Sequence, residues 1–464
     1  MMPNWTLSFA GATLDCVRRH LFPGDGCEAA AILVCARVPG PRQRLLVRKA
    51  VLVPYEDCTL REPDRIVWPG LWIEEAIDLA EAENLSLILI HSHPGGLFDF
   101  SEADDQSDAR VMPGLFEALG SLHGSAIMVQ DGRVRGRLYA QDGTCWPINL
   151  VSVIGDDIDL IWTGEHPPSR FADRPVAFTS GMTRELGRLR AVVIGVSGTG
   201  SIIGEQAARL GFGRVDLIDF DRIEPHNLNR ILNATQADAA ERRLKVEMFA
   251  SAVASHRGEG IATAIPASIT SREAVLSVSQ ADVLFCCVDT LEARQMADFI
   301  AQAFLLPLFD MGVVIPLRKA ARGMAIADVC GRVDYVQPGG STLLDREVYS
   351  PASLRAEYLR RTAPGAHQHE LEAGYIKGMI EEAPSVITLN MRVATAAMNE
   401  FIARAYPFRL DPNGNYARTE FSLAAGEEEF TAEEAFPKSN LGLFARGNLE
   451  PLLGLPILKP RRAD

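Results

Sequence analysis

Apolar positions along the chain fall into short runs, broken by polar, glycine or proline residues. Leu85 to Ile90 is almost wholly apolar and suits a buried strand. Alternation along it sends His91 and His93, which follow at once, to one side. Pro94-Gly95-Gly96 then breaks the strand and opens a loop. Ser101-Glu102-Ala103-Asp104 reads as a helix start with Ser101 at the N-cap. A second apolar run, Ala29 to Val34, begins directly after Glu28, and Val151 to Leu160 is a third.

From about Arg174 the pattern changes to alternating strands and helices. Arg190 to Gly195 is a buried strand, Ser201 to Leu210 a helix, Arg214 to Asp219 a second strand and Asp282 to Val288 a further one. Such a βαβ series implies a mostly parallel sheet with helices on both faces. The fold class is therefore α/β, in two parts. Thr163 to Arg170, rich in proline and polar residues, reads as the linker between them.

Composition narrows the reading further. The 464 residues suffice for two or three domains, and 47% hydrophobic with 23% charged residues describes a globular chain. A net charge of -14 argues against a nucleic-acid partner. No apolar run reaches membrane-spanning length, so no membrane partner is expected. Met1-Met2-Pro3-Asn4-Trp5 lacks the regions of a signal peptide. Eight cysteines without a CxxC pair or a disulfide spacing fit reduced thiols and a cytoplasmic location.

The chemistry lies first in His91-Ser92-His93-Pro94 followed by Ser101 and Asp104, a His-x-His-x10-Asp pattern. Two imidazoles and a carboxylate are ligands that Zn²⁺ prefers, and three protein ligands leave an open position. An isolated His-x-His is more often a pair of surface histidines; the serine and aspartate at these offsets reverse that weighting. Glu28 could serve as proton carrier.

A second set follows. Gly195, Gly198 and Gly200 join the first strand of the βαβ series to its helix, where backbone N–H groups can approach phosphate. Alone, this turn is as readily a tight corner as a nucleotide site. Asp219 at the end of the second strand can bind ribose hydroxyls. Asn227, Arg230 and Lys245 bring an amide and two positive charges suited to phosphate oxygens. Asp289, after the strand ending at Val288, can hold Mg²⁺. Each residue alone reads as a surface ion pair; the ordered set does not.

Glu28, His91-Ser92-His93-Pro94, Ser101 and Asp104 resemble the JAB/MPN metalloprotease family with its JAMM motif. The resemblance covers about residues 5 to 145. It implies that His91, His93 and Asp104 hold zinc, that Glu28 is the general base, and that Ser101 helps stabilise the oxyanion. It implies cleavage of peptide or isopeptide bonds at the C-terminus of a ubiquitin-like protein. The second set resembles the E1-like/ThiF-type adenylating family over about residues 175 to 405. That resemblance implies ATP and Mg²⁺ as cofactors. It puts Asp219 on the ribose, Asn227, Arg230 and Lys245 on the phosphates, and Asp289 on the metal. The family's arginine ahead of the first strand corresponds to Arg174 or Arg184. Ser197 stands where the family usually has glycine.

The expected organisation is a JAB/MPN-type domain at residues 1–160, a linker at 161–178, a Rossmann-like E1/ThiF-type domain at 179–406 and a C-terminal extension at 407–464. Family members that pass the adenylate to a cysteine carry it in the crossover segment, yet this chain has none after Cys330. Ser341, Thr342 or Ser350 are alternative acceptors, as is direct transfer to a partner or a nucleophile from another chain. Cys286, Cys287 and Cys330 read as structural. His367 and His369 read as a solvated loop, Glu427 to Glu429 with Glu433 and Glu434 as a solvated acidic face, and Pro456 to Asp464 as a flexible tail. The expected partners are a ubiquitin-like protein substrate, an E2-like conjugating enzyme and a second copy of the chain. Sulfur-carrier processing and activation, or a catalytically silent ubiquitin-like-binding scaffold, are the alternatives.

Overall fold

The computed structural model describes residues 4–120, 122–163, 178–320, 323–364 and 386–460. The chain divides into two units. The first comprises Met1–Arg174, Gln302–Leu305 and Gly442–Asp464; the second comprises Pro175–Ala301 and Leu306–Leu441.

Eleven strands are described in the first unit: β1 (Asn4–Ala10), β2 (Ala30–Val38), β3 (Arg42–Leu52), β4 (Leu60–Glu62), β5 (Arg65–Val67), β6 (Ser86–His93), β7 (His123–Val129), β8 (Val134–Tyr139), β9 (Cys145–Pro147), β10 (Leu150–Ile154) and β11 (Ile158–Trp162). Helices α1 (Gly11–Leu21), α2 (Leu71–Glu81) and α3 (Glu102–Leu119) lie between them. Nine strands form one sheet in the order β11-β10-β1-β3-β2-β6-β7-β8-β9, and β4 pairs with β5 alone. β6 runs antiparallel to β2, with Ala30 opposite His91, and parallel to β7. Its apolar run is buried because it lies inside the sheet: Leu87, Ile88 and Ile90 are at most 1% exposed. Burying each such side chain contributes about 1.5–3 kcal/mol, which fixes the register that delivers the two histidines. Leu33, Cys35, Ile88, Ile90 and Met128 share one core with Leu14 and Val17 of α1.

The second unit carries β12 (Arg190–Ile194), β13 (Arg214–Ile218), β14 (Ala262–Ile265), β15 (Val283–Cys286), β16 (Leu308–Val314), β17 (Leu317–Ala320), β18 (Gly323–Ile326), β19 (Cys330–Val336), β20 (Arg418–Ser422) and β21 (Glu427–Thr431). Its helices are α4 (Ser180–Leu186), α5 (Gly198–Leu210), α6 (Gln236–Ala240), α7 (Lys245–Arg257), α8 (Arg272–Val278), α9 (Leu291–Phe304), α10 (Pro351–Thr362) and α11 (Ile387–Ala405). The sheet order is β14-β13-β12-β15-β16-β19-β20-β21. The five strands from β14 to β16 are parallel, and the last three are antiparallel. The chain builds outward from β12 to β14, then returns to the other side of β12 at β15. That reversal makes a topological switch point between β12 and β15, where doubly wound sheets bind ligands. The α/β expectation therefore holds for both parts, with a parallel-rich second sheet.

Three local readings change. The helix after β12 starts at Gly198 rather than Ser201, so two of the turn's glycines lie inside its first turn. Glu433 does not belong to a solvated face: it is 3% exposed and pairs with the buried Arg346 at 2.8 Å. Glu427 to Glu429 and Glu434 are exposed. The stretch from Pro456 is not free up to Pro460, since Pro456–Leu458 forms a 3-10 turn with Leu458 buried. Within residues 407–464, β20 and β21 extend the second sheet, whereas Gly442–Asp464 groups with the first unit. His367, His369, Arg174 and nearly all of the linker lie outside the described residues. No helix among the described residues is long and apolar enough to cross a membrane.

Candidate functional sites

In the first unit, the end of β6 and the start of α3 bring the predicted zinc ligands together. The Nε2 atoms of His91 and His93 lie 3.0 Å apart. Asp104 Oδ1 is 3.0 Å from His91 Nε2, and Oδ2 is 3.6 Å from His93 Nε2. A tetrahedral ion with ligands near 2.0–2.1 Å needs ligand atoms about 3.3 Å apart, so the spacing fits. The ring of His93 is oriented for the task. Its Nδ1 lies 2.8 Å from the carbonyl oxygen of Leu97, which requires Nδ1–H and leaves the Nε2 lone pair facing inward. Burial lowers the His93 pKa, but hydrogen bonds to Asp104 and Leu97 outweigh it and the net shift is upward. Burial also acts to raise Asp104, yet the two histidines hold its carboxyl far below the usual range.

Glu28 sits just before β2 and is 6% exposed. One of its carboxylate oxygens lies within 4.8 Å of ligand nitrogens of both histidines. Burial pushes its carboxyl up to about 7, partly opposed by His91 and His93. A carboxylate with that pKa can both take and release a proton near neutrality. Ser101 caps α3: its Oγ accepts the Asp104 N–H at 3.2 Å and donates to Asp104 Oδ2 at 2.8 Å. To reach an oxyanion the hydroxyl would have to turn away from this carboxylate.

In the second unit the predicted residues gather at the C-terminal ends of β12, β13 and β15. Gly195 has φ +84, and a Cβ there would lie 2.9 Å from the Cys287 carbonyl oxygen, so the turn requires glycine. A Cβ on Gly200 would meet the Gly195 oxygen at 1.7 Å. Asp219 follows β13 and is 9% exposed. Its oxygens accept the Val196 and Asp221 N–H groups, each at 2.8 Å, which ties it to the glycine turn. Burial raises its pKa despite Lys245. Lys245, the first residue of α7, donates from Nζ to Asp221 at 2.8 Å and stands 4.0 Å from Asp219. Burial lowers the Arg230 pKa, partly opposed by the charge of Asp289. Asn227 Oδ1 accepts the Glu224 N–H at 3.0 Å and closes the turn that carries Arg230. Asp289 itself is exposed.

Comparison with known proteins assigns the two halves. Residues 12–146 match the prokaryotic homologs of the JAB domain, and residues 173–401 match the ThiF family. The chain is a fusion of a JAB-type and a ThiF-type domain. Among curated relatives, "Ubiquitin-like modifier-activating enzyme 5" of Culex quinquefasciatus is 25% identical over 173 residues, and that of Drosophila ananassae 26% over 172. Each match takes in 34% of this chain and only 40% of the relative's length. Solved structures of E. coli MccB with ATP and of the microcin C7 biosynthetic enzyme MccB with N-formylated MccA are both 16% identical. Their TM-scores are 0.42 and 0.43; both cover 56% of this chain, with 67% and 68% of those chains.

The JAB-type domain also uses residues whose roles are not legible in the sequence. Ser92 is fully buried, its N–H donates to the Ala29 carbonyl at 3.0 Å and its Oγ accepts the Ala29 N–H at 2.9 Å. It thereby locks the residue after Glu28 to the residue between the two histidines. The Glu28 N–H donates to the Glu62 carbonyl at 2.9 Å, and Arg61 Nε donates to the Glu28 carbonyl at 3.0 Å. Arg61 pairs with Asp25 at 3.0 Å and lies 4.3 Å from the centre of the Tyr55 ring. In the ThiF-type domain, Asn390 from α11 explains Gly198, because a Cβ there would lie 2.1 Å from its Nδ2 and 3.3 Å from Arg230 Cδ. The three hydroxyls considered as acyl acceptors have structural work. Ser341 is buried against Glu433 and Arg346, Thr342 against Asp345, and Ser350 caps α10.

Proposed function

We propose that the chain is a bifunctional enzyme of a bacterial ubiquitin-like modification pathway. The JAB-type domain, residues 1–160, cleaves peptide or isopeptide bonds at the C-terminus of a ubiquitin-like protein. The ThiF-type domain, residues 179–406, adenylates that C-terminus with ATP and Mg²⁺. A linker at 161–178 joins them, and residues 407–464 form a C-terminal extension. The observation that carries the reading is the convergence of His91, His93 and Asp104 on one point with Glu28 beside it. The Leu97 carbonyl orients His93 so that its Nε2 faces the Nε2 of His91 at 3.0 Å.

His91, His93 and Asp104 would hold zinc, which supplies Lewis acidity to a carbonyl oxygen when bound. Glu28 takes the proton of the attacking water on its carboxylate and delivers it to the leaving nitrogen. In the ThiF-type domain the terminal carboxylate of the substrate attacks the α-phosphorus of ATP, and pyrophosphate leaves with the bonding electrons. Asp219 holds the ribose. Gly195, Gly198 and Gly200 shape the turn that the phosphates approach. Arg230 and Lys245 neutralise phosphate oxygens, with Asn227 beside them on the turn that carries Arg230, and Asp289 would hold Mg²⁺, which supplies charge to the phosphate oxygens when bound. The absence of cysteine after Cys330 and the burial of Ser341 and Thr342 favour release of the adenylate to a partner, such as an E2-like enzyme. The ThiF-type resemblance adds a homodimer, and the cysteine pattern of reduced thiols a cytoplasmic setting.

The test is direct. The purified chain should hold about one zinc per molecule, lost in His91→Ala, and should exchange pyrophosphate into ATP only with its cognate protein substrate. A metal-free wild type that still hydrolyses the substrate would sink the protease assignment.

A further inference from the structure

We propose that Glu357 is a positioning residue for Asp289, acting from α10 on the turn that carries the Mg²⁺-binding carboxylate. The inference rests on the adenylation reading above.

Asp289 stands between two pinned points. On one side, the Val288 carbonyl accepts Arg294 Nη2 at 2.7 Å, and Arg294 is itself paired with the buried Asp310. On the other, the N–H groups of Leu291 and Glu292 donate to Oε1 and Oε2 of Glu357, each at 2.9 Å. Glu357 is 8% exposed and reaches the turn from 66 residues along the chain. These two N–H groups are the first of α9 and have no partner within the helix. A helix ordinarily caps them with the side chain just before it, and aspartate is among the favoured caps. Asp289 and Thr290 occupy those positions here, yet both are exposed, and the two donors go to Glu357 instead. A capping aspartate commits its oxygens to backbone. With Glu357 as cap, its charge favoured by the positive helix end, the Asp289 carboxylate stays available while its backbone is held on both sides.

Capping alone would make Glu357 a stability residue. Positioning predicts a loss confined to metal-dependent binding. Binding of a fluorescent ATP analogue to the full chain should therefore be measured with Mg²⁺ and again with EDTA. In Glu357→Ala the affinity should fall about tenfold to a hundredfold in Mg²⁺ and stay at the wild-type value in EDTA. The Leu291 and Glu292 amides should exchange hydrogen faster. Glu357→Gln, which keeps one acceptor oxygen, should fall between, and it carries the comparison if the alanine variant does not fold. Unchanged affinity in Mg²⁺, or an equal loss with and without the metal, overturns the proposal. If the wild type binds no nucleotide in Mg²⁺, the adenylation reading falls, and this inference with it; a failure seen only in the variants removes this inference alone.

Discussion

Ser101 and Asp104 hold each other through three hydrogen bonds. The Ser101 N–H and Oγ–H both donate to Asp104 Oδ2, at 2.6 and 2.8 Å, and the Asp104 N–H returns one to Ser101 Oγ at 3.2 Å. The reciprocal cap that starts α3 also aims a carboxylate at His91 and His93. Helix capping and ligand orientation are one arrangement here, so a change to one disturbs the other.

Ser101→Ala should therefore be felt twice. Loss of the cap should lower stability by about 1 kcal/mol, read by urea unfolding of the zinc-free chain. Loss of the bond that orients Asp104 should weaken zinc binding about tenfold to a hundredfold, read by competition with a chromophoric chelator. Zinc affinity at the wild-type level would show that Asp104 does not depend on Ser101.

Arg61 lies outside the predicted motif and should still matter to hydrolysis. It grips the Glu28 carbonyl, while the neighbouring Glu62 carbonyl accepts the Glu28 N–H. Arg61→Ala should leave zinc content intact and lower kcat about tenfold, the cost of about 1.4 kcal/mol in placing the proton carrier, with KM little changed. Arg61→Lys should not rescue it, since lysine lacks the flat fork that bonds the carbonyl, pairs with Asp25 and lies over Tyr55. A change in KM alone would point to substrate contact instead.

The grouping of the proposed zinc ligands was legible in the sequence because strand alternation and a capping signature are local rules. His91, His93, Ser101 and Asp104 lie within fourteen positions, and one strand end and one helix start bring them together. Asp219 and Asp289 were legible for a related reason: each follows an apolar strand in a βαβ series. Arg61, Asn390, Glu357 and Glu433 were not, because each acts across a long separation through contacts that only the tertiary fold makes. Glu433 is the clearest case. Its run of acidic neighbours reads as a wet surface, and only tertiary packing places it on Arg346. Gly198 is similar, since its need for a missing Cβ comes from Asn390, nearly two hundred residues away.

The ThiF-type domain should lose stability in mildly alkaline solution through Asp298. This side chain is fully buried on α9, accepts hydrogen bonds from Leu343 N–H and Tyr349 O–H, and has its pKa pushed by burial to about 7. A folded pKa raised above the unfolded value of 3.8 means that the native state binds the extra proton. The contribution is complete below pH 4 and lost as pH rises through 7. Urea unfolding should show the wild type weakening by roughly 2–4 kcal/mol between pH 5 and pH 8. Asp298→Asn, which cannot ionise, should flatten that slope. Parallel pH profiles for the two proteins would remove Asp298 as the cause.

The two sites should depend on different metals, because their donors differ in kind. Imidazole nitrogens with one carboxylate suit zinc, whereas a single exposed carboxylate beside phosphates suits magnesium. A zinc-selective chelator such as phenanthroline, with Mg²⁺ in excess, should abolish cleavage of the ubiquitin-like substrate and spare pyrophosphate exchange. His91→Ala should do the same. Asp289→Ala should give the converse, losing exchange about a hundredfold or more, or roughly 3 kcal/mol of transition-state stabilisation, while cleavage continues. The measurement is both activities on one preparation of each protein. If His91→Ala abolished exchange on a preformed substrate with a free C-terminus, the two sites would not be chemically separate. Exchange lost only on a precursor that still carries its extension would instead place cleavage before activation, because adenylation needs the terminal carboxylate that hydrolysis releases.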